Sequence, residues 1–363
     1  MHIPDGYLSP TTCAAFYASS TPFWYVALQR VKRVLHTKLV PLISLFSAFC
    51  FLIMMFNLPL PGGTTGHAVG IGLATVVLGP WAAMLAVSVA LIIQALFFGD
   101  GGITAIGANC FNMAIVGSLV AYVFYRAIAG RSAIVSFRRV VAAGVAGYAA
   151  INVSALFAAI EFGVQPLLYK DASGAPLYCP YPLSVSIPAM MIGHLTIAGM
   201  AELIVSAGLV AFLQWSDPSL LRAAAGNIVS LEHAGRPRKT RSLQPIWMGM
   251  GLLMFLTPLG ILATGTAWGE WMASDFSSPA VREQIANSSL NQPAPASAPQ
   301  GLEQMSQLWT APFSRYAPPY IRSARFGYLL SAMFGVGLVM LACFLLVRFM
   351  RGFVVGQPRQ PAV

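Results

Sequence analysis

Charge is what this sequence lacks. Only 9% of its 363 residues are Asp, Glu, Lys or Arg, and 57% are hydrophobic. A soluble domain carries about a quarter charged residues, so lipid is the expected solvent for most of this chain. Cysteine is sparse too. Cys13, Cys50, Cys110, Cys179 and Cys343 are scattered with no CxxC pair, so no disulfide framework is implied, and those in or beside apolar runs read as small hydrophobes. HExxH and GxSxG do not occur, which argues against an intramembrane hydrolase. GxxxxGK[ST] is missing as well, so the chain is not expected to hydrolyse ATP. The first residues, MHIPDGYLSPTT, hold no Lys or Arg and no apolar core. They do not read as a signal peptide, and Met1 is expected to be retained. The net charge of +10 does not point to nucleic acid, because the basic residues flank apolar segments and form no stripe with aromatics.

What the chain has is long apolar runs, several of them near the roughly 20 residues that cross a bilayer as a helix. They predict an all-α, multi-pass membrane protein with nine spans, at about 13–29, 39–58, 67–79, 81–98, 108–126, 140–162, 187–214, 245–265 and 326–347. With the amino terminus outside, only Lys170, Arg282, Arg315, Arg322 and Arg325 fall on the outer side, and the other 16 of the 21 basic residues lie inside. The positive-inside rule therefore sets the amino terminus out and the carboxyl terminus in the cytoplasm. Spans 13–29 and 67–79 are the weakest, being respectively polar and short; both are kept because losing either breaks the charge alternation.

The chain divides into a seven-span unit, 1–214, a basic cytoplasmic linker, 215–244, and a two-span accessory region, 245–350, followed by a tail, 351–363. The accessory spans enclose an outer loop, 266–324, whose stretch SSLNQPAPASAPQ reads as flexible. Gly-rich segments collect on the outer side at Pro59–His67, Gly99–Asn109 and Phe162–Leu183. Irregular backbone is tolerated at membrane depth only where protein or a water-filled cavity satisfies it, so these segments predict a folded cup at the outer face.

Of the five histidines, only His2 and His67 fall on that face; His36 and His233 lie in inside loops and His194 in the seventh span. Alone, a histidine near an amino terminus or after a Gly-rich loop is most often inert. Here the two share a face. The Met1 amine, the His2 backbone nitrogen and the His2 imidazole can bind one ion through a five-membered and a six-membered ring, and His67 would supply a fourth nitrogen. Square nitrogen sites favour Ni(II) and Cu(II), with Co(II) possible. Loss of the peptide proton restricts the site to late divalent ions and makes binding pH-dependent. Pro4-Asp5-Gly6 is a turn sequence, and Asp5 is placed to hold either a ligand's second N–H or the arm. Asn109 and Asn112, three apart on one helix side, are candidates to hydrogen-bond the arm, with capping or packing as the plainer alternative. His194 and Glu202, eight apart, share a helix face; within a span such groups are functional by default, but a buried structural pair is equally compatible.

HIPDGYLSP at 2–10, PLPGGTTGH at 59–67, QALFFGDGGITAIGANCFNM at 94–113 and GHLTIAGMAE at 193–202 resemble the substrate-capture membrane component of energy-coupling-factor transporters for cobalt and nickel, the CbiM/NikM family. The match covers about 1–215. The resemblance implies metal ligands at Met1, His2 and His67, and supporting roles for Asp5, Asn109 and Asn112. PLGILATGTAWGEW at 258–271 looks like the fused form, in which a two-span accessory component follows the capture unit. The resemblance further implies a subunit of an ATP-driven Co2+ or Ni2+ importer in a bacterial or archaeal plasma membrane. Its partners would be a coupling membrane protein and two cytoplasmic ATPases, with no cofactor beyond the transported ion. The alternative is a passive transition-metal channel or facilitator.

Overall fold

The computed structural model describes residues 1–33, 39–221 and 244–352; His36, His233 and most of the basic linker and tail lie outside these. An amino-terminal arm, Met1–Ser9, leads into helix α1, Pro10–Arg33. Ser9 caps it, its hydroxyl accepting from the Thr12 backbone N–H at 3.1 Å, which satisfies an orphan donor of the first turn. Helix α2, Leu39–Met54, is followed by an antiparallel hairpin, β1 Leu58–Leu60 and β2 Thr64–Gly66, in register Leu58 to Gly66. Its three-residue loop, 61–63, turns at Gly62 and Gly63, whose φ values of 83° and 79° glycine adopts without a steric cost.

Helix α3, Ile71–Leu78, is buried at every residue. At eight residues it is about 12 Å long, far short of the roughly 30 Å hydrocarbon layer, so the expected span 67–79 does not cross by itself. Pro80 at the first helical position then starts α4, Pro80–Phe98. Helices α5, Ile106–Ala129, α6, Phe137–Leu168, and α7, Leu183–Ser216, complete the amino-terminal part. The accessory region supplies α8, Gln244–Leu256, which continues as a 3-10 turn to Leu262, the short helices α9, Pro279–Ser288, and α10, Gln300–Met305, and finally α11, Ala324–Gly352.

Each of the nine expected regions carries a helix. Among the described residues five, α4, α5, α6, α7 and α11, are long and apolar enough to cross a membrane. The protein is thus a mostly helical, multi-pass chain. Helix α3 sits at its centre against α4, α5, α6 and α7. The approach is close because the contacts are small: a Cβ on Gly72 would lie 2.7 Å from the Gly147 Cα, the kind of packing that small residues permit between membrane helices. Helices α4, α5 and α7 each contain a π-helical segment, at Gln94–Phe98, Cys110–Val116 and His194–Ala198. Such bulges are frequent at functional sites, and these lie on or beside the segments that carry Asp100, Asn109 and His194.

The loop 266–324 is folded, contrary to its flexible composition. Trp268, Trp271, Phe276, Ile285, Leu302 and Tyr316 are buried. They pack on the capture unit: Trp268 lies against Phe162 with 5.8 Å between ring centres, and Tyr316 stacks on Phe98 at 4.9 Å. The aromatics at the two ends of the loop anchor it, while its Pro- and Ser-rich middle bridges between them. Backbone bonds join the two parts as well, from Gly301 N–H to the Leu177 carbonyl at 2.7 Å and from Phe313 N–H to the Phe97 carbonyl at 2.9 Å. Within the membrane layer, α11 docks on α2 where Gly335 meets the Phe51 ring, and the Tyr328 hydroxyl donates to the Met55 carbonyl at 2.7 Å.

Candidate metal centre

The amino-terminal arm is a buried structural element. Met1, His2, Ile3, Tyr7 and Leu8 are all at most 4% exposed. Its backbone is held like an added strand edge: the Ile3 N–H donates to Asn109 Oδ1 at 2.8 Å, while the Ile3 carbonyl accepts from Asn109 Nδ2 at 3.0 Å and from the Gly102 N–H at 2.8 Å. Asp5 turns the other way and accepts the backbone N–H groups of Ile103 at 3.1 Å and Thr104 at 2.8 Å. Of the two roles open to Asp5 in the sequence, the structure shows it tying the arm to the Gly-rich 99–105 loop. That loop wraps the arm closely enough to require glycine: Gly101 has φ 87°, and a Cβ there would lie 2.9 Å from Asn109 Nδ2. Asn112 does not reach the arm. It is buried one turn further along α5, where its side chain lies beside the buried Glu161 carboxyl of α6.

This scaffold gathers four nitrogens. The Met1 amine and the His2 backbone nitrogen lie side by side, each 2.9 Å from the same oxygen, Glu270 Oε1. The His2 and His67 rings face each other with 5.2 Å between centroids and 45° between planes. An ion about 2.0 Å from a ring nitrogen is roughly 3.2 Å from the ring centre, so two imidazoles sharing an ion have centres between about 4.5 Å and 6.4 Å apart; the observed spacing falls inside that range. Both ring nitrogens of His2 are buried without a hydrogen-bond partner, which is rare for a native polar group and calls for a ligand or ion. Burial pushes the His2 imidazole down to about 4, so at neutral pH it is uncharged and able to coordinate. In His67, Nδ1 faces the Ala68 carbonyl at 3.0 Å. A proton on Nδ1 makes that bond and leaves Nε2 as a free lone pair.

Two carboxylates border the four nitrogens, and sequence reasoning missed both. Asp100 lies with Oδ1 3.7 Å from His2 Nδ1; Tyr316 donates to its Oδ2 at 2.6 Å and Gln94 at 3.3 Å. Burial, and then the neighbouring Glu270, raise Asp100 to about 6. Glu270 comes from the accessory loop, between Trp268 and Trp271. An acid set between buried tryptophans was the available signal. A cavity of about 350 Å³, lined in part by His67, Asp100, Glu270, Arg315 and Tyr316, adjoins the site. Among the described residues no cluster of three or more His, Cys, Asp or Glu is placed to hold an ion, so a metal here needs the main-chain nitrogens.

His194 and Glu202 are both buried, and the stretch from one to the other begins with the π-helical segment His194–Ala198. His194 Nδ1 faces the Met190 carbonyl at 2.8 Å. Glu202 reaches the start of α3 and accepts from the backbone N–H groups of Val69 at 2.7 Å, Gly70 at 2.8 Å and Gly72 at 3.1 Å. A carboxylate at a helix amino terminus satisfies orphan donors and meets the positive end of the dipole. Glu202 thereby fixes the segment that begins two residues after His67.

Residues 2–220 match the family described as the cobalt uptake substrate-specific transmembrane region, CbiM. The chain belongs to the CbiM family. This CbiM chain is 55% identical to the fused nickel transport protein NikMN of Rhodobacter capsulatus, over 93% of its own length and 95% of the relative's. It is 41% identical to the probable fused nickel transport protein LarMN of Lactiplantibacillus plantarum, over 93% and 94%. A crystal structure of a transition metal transporter is 50% identical to it with a TM-score of 0.56, covering 59% of this chain and 93% of that one.

Proposed function

We propose that this chain captures Ni2+ or Co2+ at the outer face of the plasma membrane of a bacterium or archaeon. The ion binds to the Met1 amine, the His2 backbone nitrogen, the His2 imidazole and His67. One observation carries the reading: two main-chain nitrogens and two imidazoles converge, and neither ring nitrogen of the buried His2 has a hydrogen-bond partner. Asp5 and Asn109 serve by holding the arm in register. With the amino terminus outside, as the distribution of basic residues favours, these groups lie on the side from which an importer loads.

The chain works as the capture subunit of an ATP-driven energy-coupling-factor importer, in which a coupling membrane protein and two cytoplasmic ATPases supply the energy. The fused nickel transport relatives support the cargo, and the lack of a phosphate-binding GxxxxGK[ST] in this chain fits separate ATPases. Cells lacking those ATPases should show no uptake; uptake at full rate would make the chain a passive facilitator instead.

The site itself is tested by adding one alanine before Met1. The new residue turns the Met1 amine into an amide and moves the free amine one residue away, out of the buried position it holds beside the His2 nitrogen. Nickel affinity, measured by competition with a chelating dye, should fall more than about 100-fold, beyond what is typical for loss of a residue that merely supports a ligand. Unchanged affinity that still depends on His67 would exclude the Met1 amine as a ligand.

A further inference from the structure

Glu270 sits where the ion must go. Its Oε1 accepts from the Met1 amine and the His2 N–H at 2.9 Å each, so it lies along the directions in which those nitrogens would point their lone pairs. An ion about 2.0 Å from both nitrogens, in the direction their N–H bonds take, would leave only about 1 Å to that oxygen, whereas a metal–oxygen bond is about 2.0–2.2 Å. The carboxylate oxygen and the ion therefore exclude each other. It has no nearby alternative in the chelate plane, because the remaining positions belong to the His2 and His67 rings.

The carboxylate is also not a loose side chain. It projects from a tight turn in which the Glu270 N–H donates to the Ala267 carbonyl at 3.0 Å. Gly269 in this turn has φ 80°, and a Cβ there would lie 2.8 Å from the Phe162 ring. On either side, Trp268 donates to Ser289 Oγ at 3.0 Å and the Trp271 carbonyl accepts from the Tyr7 hydroxyl at 3.1 Å. Withdrawing Glu270 by an ångström thus pulls on a turn joined to both the arm and α9.

We propose that Glu270 is a displaceable plug: the accessory region closes the metal chelate with this carboxylate, and an arriving ion must push it out. The inference rests on the capture reading above. On coordination the ion takes the lone pairs of the amine and the amide, and their protons leave to water. The amine keeps N–H groups that can still reach a retracted Glu270, but the amide keeps none, so at least the His2 contact is lost. Through that loss the accessory region senses whether the capture unit is loaded. Its role is positioning: Glu270 acts on the nitrogens, and the ion is held by others.

Hydrogen exchange of the full-length chain in detergent, with and without Ni2+, tests this. Residues 1–5 report whether the ion binds, and residues 266–277 report the plug. Protection of 1–5 together with about tenfold faster exchange over 266–277 is expected, which is the effect of losing one charge-assisted hydrogen bond. In Glu270→Ala the 266–277 segment should already exchange at the fast rate and ignore the ion. Protection of 1–5 with unchanged or slowed exchange over 266–277 in the wild type would overturn the plug while leaving capture intact. If Ni2+ leaves 1–5 unprotected, the capture reading itself fails and the plug with it.

Discussion

Gly102→Ala isolates the geometry of the arm from its chemistry, because no proposed ligand is touched. A Cβ at Gly102 would stand 2.6 Å from Asp5 Oδ1 and 2.7 Å from its Cγ, and nearer still to the Asp5 backbone nitrogen. Rotating the Asp5 side chain cannot clear that backbone atom, so arm and loop must part. Ordinary contact begins at 3.4 Å, so the separation grows by about 0.8 Å or more, at which the 2.8 Å bond from Gly102 N–H to the Ile3 carbonyl is broken or badly stretched. Ile3 is bonded directly to His2, and metal–ligand distances tolerate only about ±0.2 Å. The expected loss is about 10- to 100-fold in Ni2+ affinity, or roughly 1.4–2.8 kcal/mol. Titration of the detergent-purified chain measures it. The melting temperature should change little, because the strain falls on the arm and not on the α3 core. Gly208→Ala, on α7 with nothing within 4 Å of the added carbon, is the matched control. Wild-type affinity in Gly102→Ala would refute the premise that the 99–105 loop sets the chelate geometry.

His67→Ala should weaken binding by orders of magnitude and change the ligand-field spectrum of bound Ni2+, because the fourth nitrogen is lost; an unaltered spectrum would remove His67 from the ligand set. Proton release is the second check. Since the His2 imidazole, held near 4, is already neutral at pH 7, the protons released on binding come from the amine and the peptide nitrogen, about two per ion. Calorimetry in buffers of different ionisation enthalpy counts them, and a count of one would mean that the peptide nitrogen keeps its proton. Affinity accordingly falls as pH is lowered.

The apolar helices could be read from the sequence because nothing but lipid or a protein interior accepts runs of such composition. The arm was singled out for a different reason: an amine, the next peptide nitrogen and a histidine in second place can chelate an ion by covalent structure alone, whatever the fold. Helix α3 was misjudged in length because a helix buried inside a bundle and one crossing a bilayer share the same composition. Glu270 and Asp100 were hidden because neither lies on a periodic element; what brings Glu270 to the amino terminus is the docking of aromatic residues in a loop more than 260 positions away. Composition also misled over that loop, where a few buried tryptophans and tyrosines outweigh a much longer stretch of Ser, Pro and Gln.

The contact between α11 and α2, at Gly335 and Phe51, bears on why the two parts share one polypeptide. With α11 seated on α2 and the outer loop tied to the capture unit by its own hydrogen bonds, the peptide connection is not what keeps the halves together. Its effect is numerical. A fused chain delivers one accessory region for every capture unit, at a local concentration that separate subunits diluted in a membrane would reach only through high expression. Severing the chain between the halves should therefore leave an assembled pair, with the bond between them redundant for structure and useful for stoichiometry.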